Sequence, residues 1–263
     1  VYMKTFMRSV PVVTTPGTIF RGIIMLICLG FISTDVARGF DHSYDSYSTA
    51  LKQNVSGGMV NYAGMKENTG DLTSFLIEAA TVSREEFSNW TEEQQLSYLI
   101  NLYNAATLKL VTDNYPVNSI KDIGADSGGP WRQPVVRLFN QILTLDSFEN
   151  DIIRKNYDEP RVHFALVCAA KGCPEMTDRP YLPESLNEQL EMQTAKFLSD
   201  TEKNSVDAST RTARLSPLFD WYREDFIKAG GSVAGFINSY YDVDIVSDYK
   251  IEYTEYDWSL NDR

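Results

Sequence analysis

The stretch HFALVCAAKGCP, His163 to Pro174, holds two of the chain's three cysteines and one of its two histidines. Three chemistries fit those residue types. A catalytic thiol must ionise, which an imidazole, a cation or a helix N-terminus can arrange. Cys168 ends VHFALVC, which reads as a buried strand, and Lys171 is close in sequence. His163 is the obvious base, but in an extended segment five steps span about 16 Å. An odd separation also puts the two side chains on opposite faces. A direct Cys168–His163 dyad therefore needs the strand to stop early and fold back. Cys173 reaches His163 more easily, because the loop can return it. The second chemistry is a disulfide, since Cys168 and Cys173 enclose only Ala-Ala-Lys-Gly. A redox-active pair is the weaker form of it, the spacing not being Cys-x-x-Cys. The third is a pair of inert buried thiols. Zinc would lack its fourth ligand unless Asp or Glu supplied it, and no metal or cofactor is expected. These readings stay open on the residues alone.

The elements around this stretch are mostly helical. Thr91, followed by Glu92 and Glu93, starts a long helix that runs to Pro116 and is apolar almost all round, which predicts a central position. Asn101 and Asn104 share one face of it and are candidates to orient a base or polarise a carbonyl. YDSYSTALKQNV has helical spacing up to Gly57-Gly58, and DLTSFLIEAA is another helix. VVRLFNQILTL alternates and turns near Asn140, predicting a hairpin. DSFE then has the form of a capping box, with Glu149 at its third position. ESLNEQLEMQTAKFLSD and SPLFDWYREDFIKAG are amphipathic, SVAGFINSYYD is a further helix, and YKIEYTEYDWSL closes with a strand. The expected fold class is α+β: a single, mainly helical domain with a small, partly antiparallel sheet.

Residues 1–39 read differently. Lys4, Arg8 and Arg21 precede the apolar run GIIMLICLGFIS, and Ala37 and Gly39 place small residues before Phe40. This is the pattern of a secretory signal peptide. Twelve residues make a helix of about 18 Å, short for a membrane core of ~30 Å. The expectation is an exported protein, periplasmic or extracellular, with an uncleaved N-terminal tether as the alternative and residues 40–263 as one globular domain. Removing the segment takes away four of 24 basic and one of 36 acidic residues, moving the net charge from −12 to −15. Such a surface repels phosphate backbones and anionic lipid, so nucleic acid is excluded as a partner. A small-molecule or peptide ligand is the expected partner, and the 15 tyrosines suit a cleft that needs apolar bulk with polar tips.

The segments INLYNAATLKLVTDNYPVNSIKDI, RVHFALVCAAKGCPEM, LFDWYREDF, GGSVAGFI and YDWSLND resemble, in order, the domain of unknown function 547 family, from about Val60 to Asp262. The family has no established reaction. The resemblance marks Asn101, Asn104, Glu149, His163, Cys168, Cys173 and Asp257. The chain departs where the family often has His after its Glu, because Asn150 stands there, and where Val167 replaces a polar residue before the first Cys. Two functions follow as expectations. One is a ligand-binding or structural domain of the cell envelope with the cysteines as a clip. The other is a thiol-dependent hydrolase or acyl transferase, with Cys168 attacking, His163 relaying the proton, and Asn101, Asn104 or Glu149 assisting. Within WYREDF, Arg223 is a candidate for a substrate carboxylate.

Overall fold

The computed structural model describes residues 39–242 and 244–263. The expected signal segment lies outside them, except for Gly39. Helix α1, Asp45–Asn54, leads into the short antiparallel strands β1, Val55–Ser56, and β2, Met59–Val60. Gly57 and Gly58 turn between them at φ 55° and 77°, a region glycine enters without steric cost. Helices α2, Tyr62–Glu67, α3, Gly70–Thr81, and α4, Arg84–Ser88, follow. All three pack with α1 around α5, Glu92–Asn114. The Thr91 side chain caps α5 and Gln94 reaches back to the Thr91 N–H, a reciprocal box that satisfies two free amides. As the apolar pattern predicts, α5 is buried on nearly every face from Leu96 to Thr112.

The expected hairpin forms from β3, Pro134–Leu138, and β4, Gln141–Thr144. Phe139 and Asn140 turn it at φ 49° and 61°, the two positive values a tight hairpin of this hand requires. The capping box beyond it differs from the DSFE reading. Thr144 caps, and Ser147 returns the bond, opening α6, Leu145–Ser147. The strand ends at Thr144, so the helix begins two residues earlier and Glu149 is released from cap duty. The helix then widens into a π-helical stretch, Phe148–Arg154, a feature that often marks functional sites.

VHFALVC is not a strand. Pro160 starts a 3-10 turn, Pro160–Phe164, whose first amide, Arg161 N–H, is met by the Glu159 carboxylate, and the chain then coils to Cys168. Asn104 takes the place of a ladder partner: its Nδ2 donates to Ala165 O and its Oδ1 accepts from Val167 N–H, both at 2.9 Å.

The remaining chain adds α7, Leu186–Ser199, and a three-stranded sheet. In it β5, Ser205–Asp207, is antiparallel to β6, Thr212–Leu215, and β7, Lys250–Tyr253, lies parallel to β6. Helices α8, Leu218–Trp221, α9, Arg223–Gly230, and α10, Val233–Ile237, cover one side. The fold is α+β, with its strands divided among three small sheets rather than gathered in one. Val162 and Ala165 belong to the apolar core around α5. Phe164 belongs to a second core built on Phe197, Phe219 and Phe226. His163 therefore sits where the two cores meet.

Candidate functional site

A cleft of about 400 Å³ opens at that seam. Tyr103 of α5, Trp131, Trp221 and Tyr222 at the α8–α9 junction, and Tyr256 and Trp258 of the C-terminal segment wall it. Tyr256 and Trp258 pack with centroids 4.6 Å apart, and Trp221 lies 4.8 Å from Tyr256 and 5.8 Å from Trp258. Trp221 is 48% exposed and marks the mouth. Asp146, Glu149, Asn150, His163, Cys168 and Cys173 bring polar and sulfur atoms to the same space.

Cys168 and Cys173 are joined as a disulfide. Cys168 is half-buried and Cys173 buried. The loop between them is held from outside by the C-terminal segment: Lys171 N–H donates to Ser259 O and Gly172 N–H to Asp257 O, while Asn261 N–H donates to Ala169 O. The chains approach so closely that a Cβ on Gly172 would stand 2.9 Å from the Tyr256 ring and 3.0 Å from Asp257 N. That contact explains the glycine. Tyr256 thereby comes to rest with its hydroxyl 3.2 Å from both sulfurs.

Across the cleft, His163 is 2% exposed and stacks on Tyr222, centroids 3.8 Å apart. Its Nε2 lies 2.7 Å from Asp225 Oδ2. Arg154 reaches the same carboxylate with Nε at 2.7 Å and Nη2 at 3.2 Å. Partial burial pushes the Asp225 carboxyl up, but hydrogen bonds from His163 and Arg154 outweigh it and hold the group well below the usual carboxylate range. An ionised carboxylate only accepts, so His163 Nε2 carries the proton. Nδ1 is buried without a hydrogen-bond partner among the described residues, and in the neutral ring it bears the basic lone pair.

Glu149 is buried and accepts from Tyr103 OH at 3.0 Å, with Tyr222 as a second phenol partner. Burial, then the Glu149 charge, push both phenols up, so they stay protonated donors. Arg154 is spent on Asp225 and on Asn150 Oδ1.

His163, Cys168, Cys173 and Glu149 thus share one cleft despite their spacing in the chain, and the expected strand that would have separated His163 from Cys168 is absent. Asn101 and Asn104 lie outside its lining. Each spends its amide on backbone: Asn101 donates to Tyr181 O at 2.8 Å and accepts from Tyr181 N–H at 2.9 Å, as Asn104 does for 165 and 167. Asp257 accepts from Ser259 and shapes the C-terminal turn. Arg223 is exposed and meets Tyr253 and Asp220. The sequence reading passed over Asp225, two residues beyond Arg223; an acid inside the aromatic run WYREDF was the available signal. Among the described residues no three His, Cys, Asp or Glu side chains converge closely enough to hold a metal ion, and no helix is long and apolar enough to cross a membrane.

No curated protein and no solved structure matches the chain. Residues 87–198, from the end of α4 through α5, the Cys168–Cys173 loop and most of α7, match the family model described as protein of unknown function, DUF547, which supports the resemblance of the chain to that family.

Proposed function

We propose that this chain is an exported ligand-binding domain of the cell envelope, with its ligand held in the aromatic cleft. The observation that carries this reading is the wall of Trp131, Trp221, Tyr222, Tyr256 and Trp258 set around the buried Glu149 carboxylate. The lining holds two carboxylates, Asp146 and Glu149, and no Lys or Arg among the described residues. Stacked aromatic rings and a carboxylate favour a ligand with an apolar body and a cationic or neutral head. The bonded cysteines support an oxidising compartment and act as a clip on one wall. The test is a titration of tryptophan fluorescence and melting temperature with phenethylamine against phenylpropionate. Phenethylamine quenches and stabilises, and Trp221→Ala and Glu149→Gln weaken it. Equal binding of the anionic probe removes the charge preference; binding of neither removes the reading.

A second reading, a thiol-dependent hydrolase or acyl transferase, is favoured by the His163–Asp225 pair. Asp225 orients the ring as the third group of a thiol–imidazole–carboxylate set would, leaving Nδ1 free to accept a proton. Cys168 would attack only after reduction of its bond to Cys173. Turnover of an amide or thioester by reduced protein, abolished in Cys168→Ala, distinguishes this from binding alone.

A further inference from the structure

The two sulfurs of the cleft are not equivalent. Cys168 is half-buried at the cleft surface, whereas Cys173 is 2% exposed. The Cys168 backbone N–H donates to Cys173 Sγ at 3.0 Å, and the Tyr256 hydroxyl, 3.2 Å from both sulfurs, is within reach of the same sulfur. Neutral disulfide sulfur is a poor acceptor, so the N–H aimed at Cys173 and the hydroxyl free to turn toward it gain most when that sulfur carries negative charge. The loop that carries the two cysteines is pinned at Lys171 and Gly172 by the C-terminal segment, independently of the S–S bond.

We propose that the domain exchanges its Cys168–Cys173 disulfide with small thiols, taking attack at Cys168 and releasing Cys173. An incoming thiolate forms a new S–S bond with Cys168 Sγ as the Cys168–Cys173 bond breaks, and the electron pair leaves on Cys173 Sγ, where the Cys168 N–H and the Tyr256 hydroxyl receive it. A second thiolate attacks the outer sulfur of the mixed disulfide, releasing a small disulfide and the Cys168 thiolate. Two thiols are oxidised to one disulfide, and the protein disulfide is reduced by two electrons to two thiols. With Asp146 and Glu149 in the lining, a thiol bearing an ammonium group is preferred to an anionic one. That preference rests on the ligand reading above; the site of attack does not.

The test uses native oxidised protein and cysteamine or glutathione at equal thiolate concentration. Samples are quenched in acid at short times and adducts are mapped by mass, an assay that needs no variant. Adducts form on Cys168, and cysteamine reacts faster than glutathione. Tyr256→Phe, checked for its fold by circular dichroism, opens about tenfold more slowly, the size of one lost hydrogen bond to a developing charge. Adducts mainly on Cys173, a bond that opens only in denaturant, or an unchanged rate in folded Tyr256→Phe overturns the proposal. Adducts on Cys168 without preference between the thiols leave the exchange standing and count against the cationic ligand instead.

Discussion

Asn104 and His163 are buried polar side chains on either side of the same short segment, and they are satisfied to different degrees. The Asn104 amide spends its donor on Ala165 O and its acceptor on Val167 N–H, holding the chain just before Cys168. The His163 imidazole spends Nε2 on Asp225 and leaves Nδ1 without a partner among the described residues. Buried polar groups are normally paired, because an unpaired one forfeits its hydration for nothing. The closed set is scaffold. The open one, on a cleft wall, is where a ligand or a reacting proton would find its partner.

Substitutions that strip each side sharpen this contrast. Asn104→Leu leaves Ala165 O and Val167 N–H buried and unpaired, and it costs about 3 kcal/mol in chemical denaturation. A loss under ~1 kcal/mol would break the assignment of Asn104 to the scaffold. Asp225→Asn removes the charge that His163 and Arg154 share and costs about 2 kcal/mol at neutral pH. Because Asp225 is held below its ordinary value of about 3.9, its contribution is fully present above that pH and is lost as pH falls through the folded-state value. The gap between the wild type and Asp225→Asn therefore narrows below about pH 4; a gap constant down to pH 2 would contradict the charge-based account.

His163→Phe keeps a ring against Tyr222 and removes one hydrogen bond to Asp225, which retains Arg154. It costs about 1 kcal/mol, less than the Asn104 change. A larger cost would place His163 with the scaffold. The smallest effect belongs to Ala169, which follows Cys168 at φ 60°. A left-handed alanine carries about 1–2 kcal/mol of strain, and glycine there gives back part of the gain as chain entropy. Ala169→Gly raises stability by about 0.5 kcal/mol, read from the denaturant midpoint.

Much of the scaffold was legible along the chain. The cap at Thr91, the apolar periodicity of α5, the turn at Asn140 and the stop at Gly231 are local signals, set by hydrogen bonds and dihedrals within a few residues, and the structure follows them. So were the sulfur pair and the family pattern. Two local readings failed for a non-local reason. VHFALVC has strand composition but finds Asn104 in place of a neighbouring strand, and DSFE has a capping pattern that the end of β4 pre-empts.

The cleft itself lay beyond such reading. Asp225 meets His163 across 62 positions, and Tyr256 meets the two sulfurs across 88 and 83. Helical period, cap and turn carry information over a handful of residues. Which distant side chains converge is decided when two apolar cores pack against each other and the C-terminal segment is laid along the Cys168–Cys173 loop. The sequence by itself determined the helices, the hairpin and a suspect pair of cysteines. Only the tertiary structure supplied the aspartate behind the histidine and the phenol beside the sulfurs, because both depend on burial and closure over the whole domain.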